Sequence, residues 1–293
     1  RYKNLLMVLL TMVLTKYALI HSVFENSYLT NIEFIFLILS VLLITAGGYI
    51  INDIFDVEAD KINKPNKVFI DVSITKKNAL RSYFIITLLG IILGIYLSIK
   101  RQIPYNSLYF ITTTVGLYLY SKRLKKTPLI GNLIISLFIF ILIILVSDFE
   151  YIKEYDGHNF EFFINLKKQN WFGFINTILI YAIFSFLTTL IREIIKDIED
   201  INGDLKIKSK TLPIVIGRKR ASHVAFFFSS ILLIFLLFVL KFVRNEYLFL
   251  GYGIIILLLP LLYFMYKLWF AETKKDFSKL SSLMKMIMLF GIL

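Results

Sequence analysis

The stretch NDIFDVEADKINKP occupies residues 52–65 and follows directly on an apolar segment, residues 32–52, that is long enough to cross a membrane. Acidic residues therefore stand at the end of a membrane-grade segment: Asp53, Asp56, Glu58 and Asp60. Acidic side chains in that position are costly unless a positive charge meets them. The stretch predicts that a cation or a basic group lies close to these side chains.

The composition is that of an integral membrane protein. Of 293 residues, 58% are hydrophobic and 18% are charged, whereas soluble domains are about 45–50% apolar and about 25% charged. The net charge of +13 is assigned mainly to membrane topology, because the chain has no polar domain that could bind a nucleic acid. The absence of cysteine excludes disulfides and thiolate metal sites.

Hydropathy predicts an all-α polytopic membrane protein with a single domain over residues 1–293. A spanning helix needs about 20 mainly apolar residues. Eight complete candidates are residues 5–25, 32–52, 79–99, 105–121, 128–147, 171–194, 221–241 and 246–268. A ninth begins near Leu283 and is cut off at Leu293, and the chain begins at Arg1, so we expect both termini to be trimmed. The charged segments that follow helices two and six are loosely alike, which suggests two pseudo-repeated four-helix halves and a ninth helix.

Lysine and arginine are concentrated in the loops after helices two, four, six and eight. Cytoplasmic loops carry the excess of these residues in membrane proteins. We therefore expect those loops to be cytoplasmic in the cell inner or plasma membrane, and the acidic stretch after helix two to face the cytoplasm.

A second acidic segment interrupts the apolar pattern at residues 192–217, REIIKDIEDINGDLKIKSKTLPIVIG, at the same predicted membrane face. Residues spaced by three or four lie on one face of an α-helix. Asn52, Asp56 and Asp60 have this spacing, and so does the second set, provided that its helix continues to Gly203: Glu193, Asp197, Asp200 and Asp204. The sequence thus predicts two acidic stripes that face one compartment.

Carboxylates at this spacing repel each other by roughly 0.2–0.5 kcal/mol per pair on an exposed helix. A bound cation would offset the repulsion, and all-oxygen ligands from Asp, Glu and Asn suit Mg²⁺, Mn²⁺ or Ca²⁺. Mg²⁺ binds through one or two carboxylates together with substrate phosphates. Two stripes suggest two metal ions with a diphosphate between them.

Basic residues close to the stripes are candidates for holding the remaining diphosphate oxygens. For Arg192 and Lys196, local ion pairing with the acidic stripe is the alternative. For the neighbouring Lys125 and Lys126 a topology signal is favoured. The candidates for diphosphate binding are Lys122, Arg123, Arg192, Lys196 and Lys210.

The two motifs together resemble those of the UbiA-type intramembrane prenyltransferases. NDIFDVEAD is similar to their N-D-x-x-D-x-x-x-D signature, and DINGD at residues 200–204 is similar to their second signature, D-x-x-x-D. The resemblance implies a ring of nine transmembrane helices around a central cavity. It also implies Mg²⁺-dependent ionisation of an isoprenyl diphosphate and capture of the allylic cation by an acceptor.

The resemblance assigns roles by motif position. Asn52, Asp56 and Asp60 would bind one Mg²⁺, and Asp200 and Asp204 the other, with Mn²⁺ as a possible substitute. Two further acidic residues complete the predicted site: Asp53 would support the metal ligands, and Asp197 would serve as a ligand or base. The residues expected to carry the catalysis are Asp56, Asp60, Asp197, Asp200 and Asp204.

Acceptor choice rests on finer resemblance. The segment in which E-D-x-x-G-D leads to K-T-L-P is similar to that of the geranylgeranylglyceryl phosphate geranylgeranyltransferase branch, as are YSKRLKK at 120–126 and PLIGN at 128–132. This implies geranylgeranyl diphosphate as donor and a lipid glycerol phosphate as acceptor. Two alternatives stay open: a 4-hydroxybenzoate or naphthoate polyprenyltransferase of quinone synthesis, and a divalent-cation transporter or a non-catalytic lipid-binding protein.

Overall fold

The computed structural model describes residues 2–21, 29–63, 65, 68–151 and 171–292. Throughout these ranges the regular structure is helical, apart from one isolated bridge between Ile70 and Ile74. In chain order the helices are α1 (Tyr2–Leu14), α2 (Asn31–Asn63), α3 (Lys76–Lys100), α4 (Ser107–Lys122), α5 (Ile130–Tyr151), α6 (Trp171–Glu199), α7 (Ile201–Lys206), α8 (Leu212–Ile216), α9 (Arg218–Phe242), α10 (Tyr247–Tyr252), α11 (Leu259–Trp269) and α12 (Lys274–Ile292). The all-α prediction is confirmed.

Helices occur at each of the predicted spans, of which residues 22–25 of the first lie outside the described residues. Seven helices in the described residues are long and apolar enough to cross a membrane. The other two are α4, which has only 16 residues, and α12. The start predicted for the last helix, near Leu283, is wrong, because α12 begins at Lys274. Its first turns contain Lys274, Lys275 and Asp276, so hydropathy detects only its apolar C-terminal part.

Two of the membrane helices contain π-helical turns. Residues Thr15–Ile20 continue α1 in this form, and Gly253–Leu258 connects α10 to α11. Pro260 lies at the beginning of α11, immediately after the second π turn. Proline has no N–H and clashes with the preceding helical turn, so a change in helical pitch at this point accommodates it.

The chain forms two compact units. The first unit contains Arg1–Val57, Lys67–Lys122 and Ile141–Ala182, and the second contains Glu58–Asn66, Arg123–Phe140 and Ile183–Leu293. The unbroken helix α2 contributes its last turns to the second unit. The predicted single domain and its duplication into two four-helix halves stay predictions.

In the first unit, several buried charged groups lie against groups of opposite charge. The Lys16 ammonium lies 2.5 Å from the Glu150 carboxylate and donates to the Leu29 carbonyl at 2.7 Å, with both charged side chains at most 2% exposed. At the start of α2, Thr30 and Glu33 form a reciprocal capping box. The Glu33 carboxylate also lies 3.3 Å from the Lys100 ammonium. These contacts keep charges stable inside an apolar unit.

The second unit has an extensive hydrophobic core built by α6, α9, α11 and α12. Fully buried residues on α6 recur at helical spacing, as in Leu190, Ile194 and Ile198, so one face of this helix packs into the core. From α11 and α12, Phe264 and Phe277 pack into the same cluster. The acidic residues of α6 therefore extend from a helix that is firmly anchored by its apolar face.

Candidate active site

The first acidic motif lies entirely on α2, which continues past the apolar segment and ends at Asn63, just before Pro65. Asn52, Asp56 and Asp60 occupy successive turns, as predicted, and all three are partly buried. The Asn52 amide Nδ2 donates to Asp56 Oδ2 at 2.8 Å. Asp53 is also partly buried. The helix thus presents carboxylate and amide oxygens just beyond its apolar segment.

The second motif does not continue α6 as one straight helix. α6 ends at Glu199, Asp200 adopts φ −95° and ψ 7°, and the short helix α7 begins at Ile201. The condition on which the second stripe depended, a helix that continues to Gly203, is therefore not met, because the helix is interrupted at Asp200. The Asp200 carbonyl accepts a side-chain amide from Asn63 in addition to the Gly203 and Asp204 N–H groups, and a side chain inserted into the helical ladder is a common cause of a kink.

Within the second unit, the last turn of α2 contacts this kink directly. Asn63 Nδ2 donates to the Asp200 carbonyl at 2.9 Å, and the Gly203 N–H donates to Asn63 Oδ1 at 3.0 Å. Asp60 lies one turn before Asn63 on the same helix. The contact therefore joins the helix end that carries Asp60 to the turn that carries Asp200 and Asp204.

The Asp197 carboxylate is held by a residue of α5. Asn132 Nδ2 donates to Asp197 Oδ2 at 2.8 Å, and Asn132 is only 5% exposed. This hydrogen bond fixes one carboxylate oxygen and orients the other.

Asp204 lies at the start of α7, beyond the end of α6, with Thr211 donating to its Oδ2 at 3.5 Å. Burial, reinforced by the negative charge of Asp200, raises the pKa of Asp204 to about 6. Lys125, Thr211 and Lys196 lower the pKa and offset only part of the rise. Carboxylates that are crowded and desolvated in this way favour a proton or a cation.

The predicted diphosphate-binding residues fall into two groups. Arg192 and Lys196 both form salt bridges with the Glu193 carboxylate, at 2.7 Å from Arg192 Nη1 and 3.5 Å from Lys196 Nζ. The local ion pairing considered as an alternative is therefore observed. The other three side chains, those of Lys122, Arg123 and Lys210, are exposed. The Lys122 ammonium lies 5.5 Å from the centroid of the Tyr118 ring. The Lys210 backbone N–H donates to the Lys126 carbonyl at 2.8 Å. This bond connects the loop after α4 to the segment that follows the second motif. Diphosphate binding by all five stays a prediction.

The donor chemistry fits a hard divalent ion. Among the described residues, no three His, Asp or Glu side chains lie close enough together to form a complete metal site by themselves. Mg²⁺ does not need such a cage, because it keeps several waters and uses one or two carboxylates together with substrate phosphates. The Asn and Asp oxygens of the two motifs are suitable ligands for this mode of binding.

Three residues of this arrangement were not among the predicted site residues: Asn63, Asn132 and Thr211. Asn63 follows Asp60 by three residues, so extending the first stripe by one turn would have included it. Asn132 belongs to the PLIGN segment and Thr211 to the KTLP segment. Both segments resemble those of the prenyltransferases, but neither residue had a predicted role. The contact of Asn132 is distant in sequence, and Thr211 follows Asp204 by seven residues across a helix end, so helical spacing indicates neither contact.

Known proteins are similar to this chain in sequence and in fold. The UbiA prenyltransferase family model matches residues 5–289. The chain is 34% identical, over 264 residues, to the digeranylgeranylglyceryl phosphate synthase of Methanosphaera stadtmanae, an alignment that covers 88% of this chain and 85% of that protein.

Solved structures have the same fold. One, from work on digeranylgeranylglyceryl phosphate synthase in membranes, has a TM-score of 0.63 at 25% identity and covers 99% of this chain and 93% of that chain. A UbiA homolog from Archaeoglobus fulgidus bound to DMAPP and Mg²⁺ has a TM-score of 0.62 at 16% identity, over 98% and 96% of the two chains. With two aspartate motifs that follow apolar helical segments and a family match over nearly the whole sequence, the chain belongs to the UbiA prenyltransferase family and is an integral membrane prenyltransferase.

Proposed function

We propose that this prenyltransferase transfers a geranylgeranyl group from its diphosphate to geranylgeranylglyceryl phosphate, with Mg²⁺ held by the two aspartate motifs at the cytoplasmic face. The observation that carries the proposal is the contact between the end of α2 and the Asp200–Asp204 turn. Asn63 bonds to both the Asp200 carbonyl and the Gly203 N–H, one helical turn beyond Asp60. This contact holds the end of α2 that carries Asp60 beside the turn that carries Asp200 and Asp204, which supports a role for both motifs in metal binding.

The metal ligands in this proposal are Asn52, Asp56 and Asp60 for one ion and Asp200 and Asp204 for the other, supported by Asp53. When bound, Mg²⁺ supplies positive charge to the departing diphosphate. The protein's own part is to place oxygen ligands in advance, so that little reorganisation is needed when charge develops. The raised pKa of Asp204 is consistent with a carboxylate that a cation must stabilise.

The chemistry breaks the allylic C–O bond, and its electron pair leaves with the diphosphate. A hydroxyl oxygen of the acceptor then forms the new C–O ether bond and loses its proton. We assign the proton to Asp197 or to a water that it holds, since Asn132 fixes one of its oxygens at 2.8 Å. Asp197 thus serves as base in this proposal.

The departing diphosphate needs cations in addition to the metal ions. Glu193 is 8% exposed, and its carboxylate orients the Arg192 guanidinium and the Lys196 ammonium. A buried carboxylate that holds two basic side chains fixes their positions in advance, which reduces the entropy lost on binding a phosphate. We assign diphosphate binding to Arg192 and Lys196, with contributions from the exposed side chains of Lys122, Arg123 and Lys210.

The choice of acceptor follows the relative in Methanosphaera, which is named a digeranylgeranylglyceryl phosphate synthase and aligns with most of this chain. The test is product analysis. Purified protein with Mg²⁺ and geranylgeranyl diphosphate is offered geranylgeranylglyceryl phosphate, its dephosphorylated form and 4-hydroxybenzoate in parallel, and products are identified by mass spectrometry.

We expect the diether phosphate as the main product, with weaker use of the dephosphorylated lipid because a charge-assisted hydrogen bond of roughly 1.5–3 kcal/mol is lost. A prenylated aromatic acid without any diether would contradict the acceptor and move the assignment to quinone synthesis.

A further inference from the structure

Asn63 is the last residue of α2, and its side-chain amide is used at both ends. Nδ2 donates to the Asp200 carbonyl at 2.9 Å, while Oδ1 accepts from the Gly203 N–H at 3.0 Å. Asp200 and Gly203 are the first and fourth residues of the Asp200–Asp204 motif. One side chain thus forms hydrogen bonds to the backbone of the second motif at both Asp200 and Gly203.

Gly203 is required for this contact. A Cβ atom at Gly203 would lie 2.7 Å from the Ala59 carbonyl oxygen and closer still to the Asn63 amide. The Ala59 carbonyl oxygen cannot move away easily, because it is a backbone atom and Ala59 is only 4% exposed. The second motif therefore approaches α2 at backbone distance, and only glycine permits this approach.

The bifurcated hydrogen bond of Gly203 explains why the turn depends on Asn63. The Gly203 N–H also points to the Asp200 carbonyl at 3.1 Å, and the Asp200 carbonyl also accepts the Asp204 N–H at 3.2 Å. The Asn63 amide completes this set where α6 has ended and α7 has just begun. Without it, the Asp200 carbonyl and the Gly203 N–H keep only these longer local bonds.

We infer that Asn63 is a positioning residue that sets the second motif against the end of α2 and thereby fixes the placement of Asp60 relative to Asp200 and Asp204. The inference rests on the proposed function, in which these aspartates bind Mg²⁺. Asn63 touches no reacting atom and acts through the backbone of the motif. Residues that orient metal ligands in this way typically contribute about 10–100-fold to metal affinity or activity.

Two variants separate the role of the amide from that of simple bulk. Asn63→Ala removes both hydrogen bonds. Asn63→Asp keeps the size and the acceptor for the Gly203 N–H, but places a carboxylate oxygen instead of a donor against the Asp200 carbonyl. Asn245→Ala is the matched control, since Asn245 is exposed in the turn between α9 and α10.

The first measurement uses Mn²⁺ in place of Mg²⁺ and needs no substrate. Binding of Mn²⁺ to detergent-solubilised protein is titrated by the EPR signal of free Mn²⁺. We expect Mn²⁺ affinity to fall about 10–100-fold in Asn63→Ala and to a similar or smaller extent in Asn63→Asp, with no change in Asn245→Ala. Equal affinities in Asn63→Ala and the wild type overturn the inference, whether or not the protein transfers prenyl groups.

The second measurement is hydrogen–deuterium exchange of peptides that contain residues 200–206. We expect faster exchange in Asn63→Ala than in the wild type, confined to this segment, because the Gly203 N–H keeps only its 3.1 Å bond to the Asp200 carbonyl. Unchanged exchange would show that the hydrogen bonds of Asn63 do not stabilise the Asp200–Asp204 turn, which contradicts the inference. Faster exchange over the whole of α6 in both Asn63→Ala and Asn63→Asp, together with lost Mn²⁺ binding, indicates general unfolding and also overturns a local positioning role.

If the wild type releases no diphosphate but the Mn²⁺ and exchange results are as expected, the proposed reaction fails and the positioning role stands.

Discussion

Asp204 differs from an ordinary surface carboxylate because burial and Asp200 raise its pKa to about 6 from the usual 3.8. In the unfolded chain the group ionises near its usual value. Between about pH 4 and pH 6 the folded protein therefore holds a proton that the unfolded chain has lost. Without a metal ion, Asp204 makes folding less favourable as the pH rises through this window, and the full cost remains above it.

The prediction concerns Asp204→Asn in the presence of EDTA. We expect the thermal unfolding midpoint of the wild type to fall more between about pH 5 and pH 7 than that of the variant, which cannot ionise at this position. The variant should also be the more stable of the two at pH 7. Equal changes in midpoint for both proteins would show that Asp204 ionises normally in the folded state.

At the residue scale, spacing alone predicted the acids that line each motif, because a helix repeats every three to four residues. The second set of acids does not lie on one unbroken helix, because the helix is interrupted at Asp200, where Asn63 contacts the backbone, and sequence spacing does not register such a contact. Asn132, the partner of Asp197, was missed because it is distant in sequence, and Thr211, the partner of Asp204, was missed because it lies beyond the end of α7.

At the element scale, α2 and α3 pack closely in the first unit because Gly90 has no side chain. A Cβ atom at Gly90 would lie 2.9 Å from Ile44 Cγ1 and 3.0 Å from the Ser40 carbonyl oxygen. The Ser40 hydroxyl donates to the Gly90 carbonyl at 2.6 Å, which holds the two backbones together. Small residues at such positions are the usual means by which membrane helices approach one another.

Gly90→Ala should therefore destabilise the protein by about 1–3 kcal/mol, the usual cost of overpacking a close contact. Gly251→Ala is the control, because a Cβ atom there meets nothing within 4 Å and alanine favours a helix more than glycine does. The measurement is the unfolding midpoint in detergent. A Gly90→Ala protein as stable as Gly251→Ala would contradict this account of the α2–α3 contact.

Hydropathy located the membrane helices well, since a long apolar run has few other structural outcomes. It failed at α12, whose first turns are polar, because a helix that begins outside the apolar region leaves no hydropathy signal. The π turns at Thr15–Ile20 and Gly253–Leu258 were likewise not predicted, because backbone pitch depends on packing more than on composition.

At the scale of the whole molecule, family membership and apolar helices define an integral membrane prenyltransferase, and its orientation is still a prediction from the distribution of lysine and arginine. The chain has no cysteine, so a single introduced cysteine reports the side of the membrane without background. Ser73 after α2 and Arg244 after α9 are both exposed, and they lie in loops predicted to face opposite compartments.

In intact cells, a membrane-impermeant maleimide should label Arg244→Cys, whereas Ser73→Cys should react only after permeabilisation. The reverse pattern would place the aspartate motifs on the outside and contradict a cytoplasmic active site.

The central claim is that both aspartate motifs act through Mg²⁺ on a prenyl diphosphate, and Mg²⁺-dependent diphosphate release by purified protein tests it most directly. Geranylgeranyl diphosphate and geranylgeranylglyceryl phosphate are supplied to the wild type, Asp56→Ala, Asp204→Ala and the control Glu58→Ala. Glu58 lies on the same helix as Asp56, but its side chain is 61% exposed and pairs with Lys61.

The wild type and Glu58→Ala should release diphosphate with Mg²⁺ and not with EDTA. Asp56→Ala and Asp204→Ala should lose about 100-fold or more while remaining folded, because removal of an outer partner of a metal site already costs about 10–100-fold. Full release in EDTA, or an undiminished rate in Asp204→Ala, would contradict the two-motif mechanism.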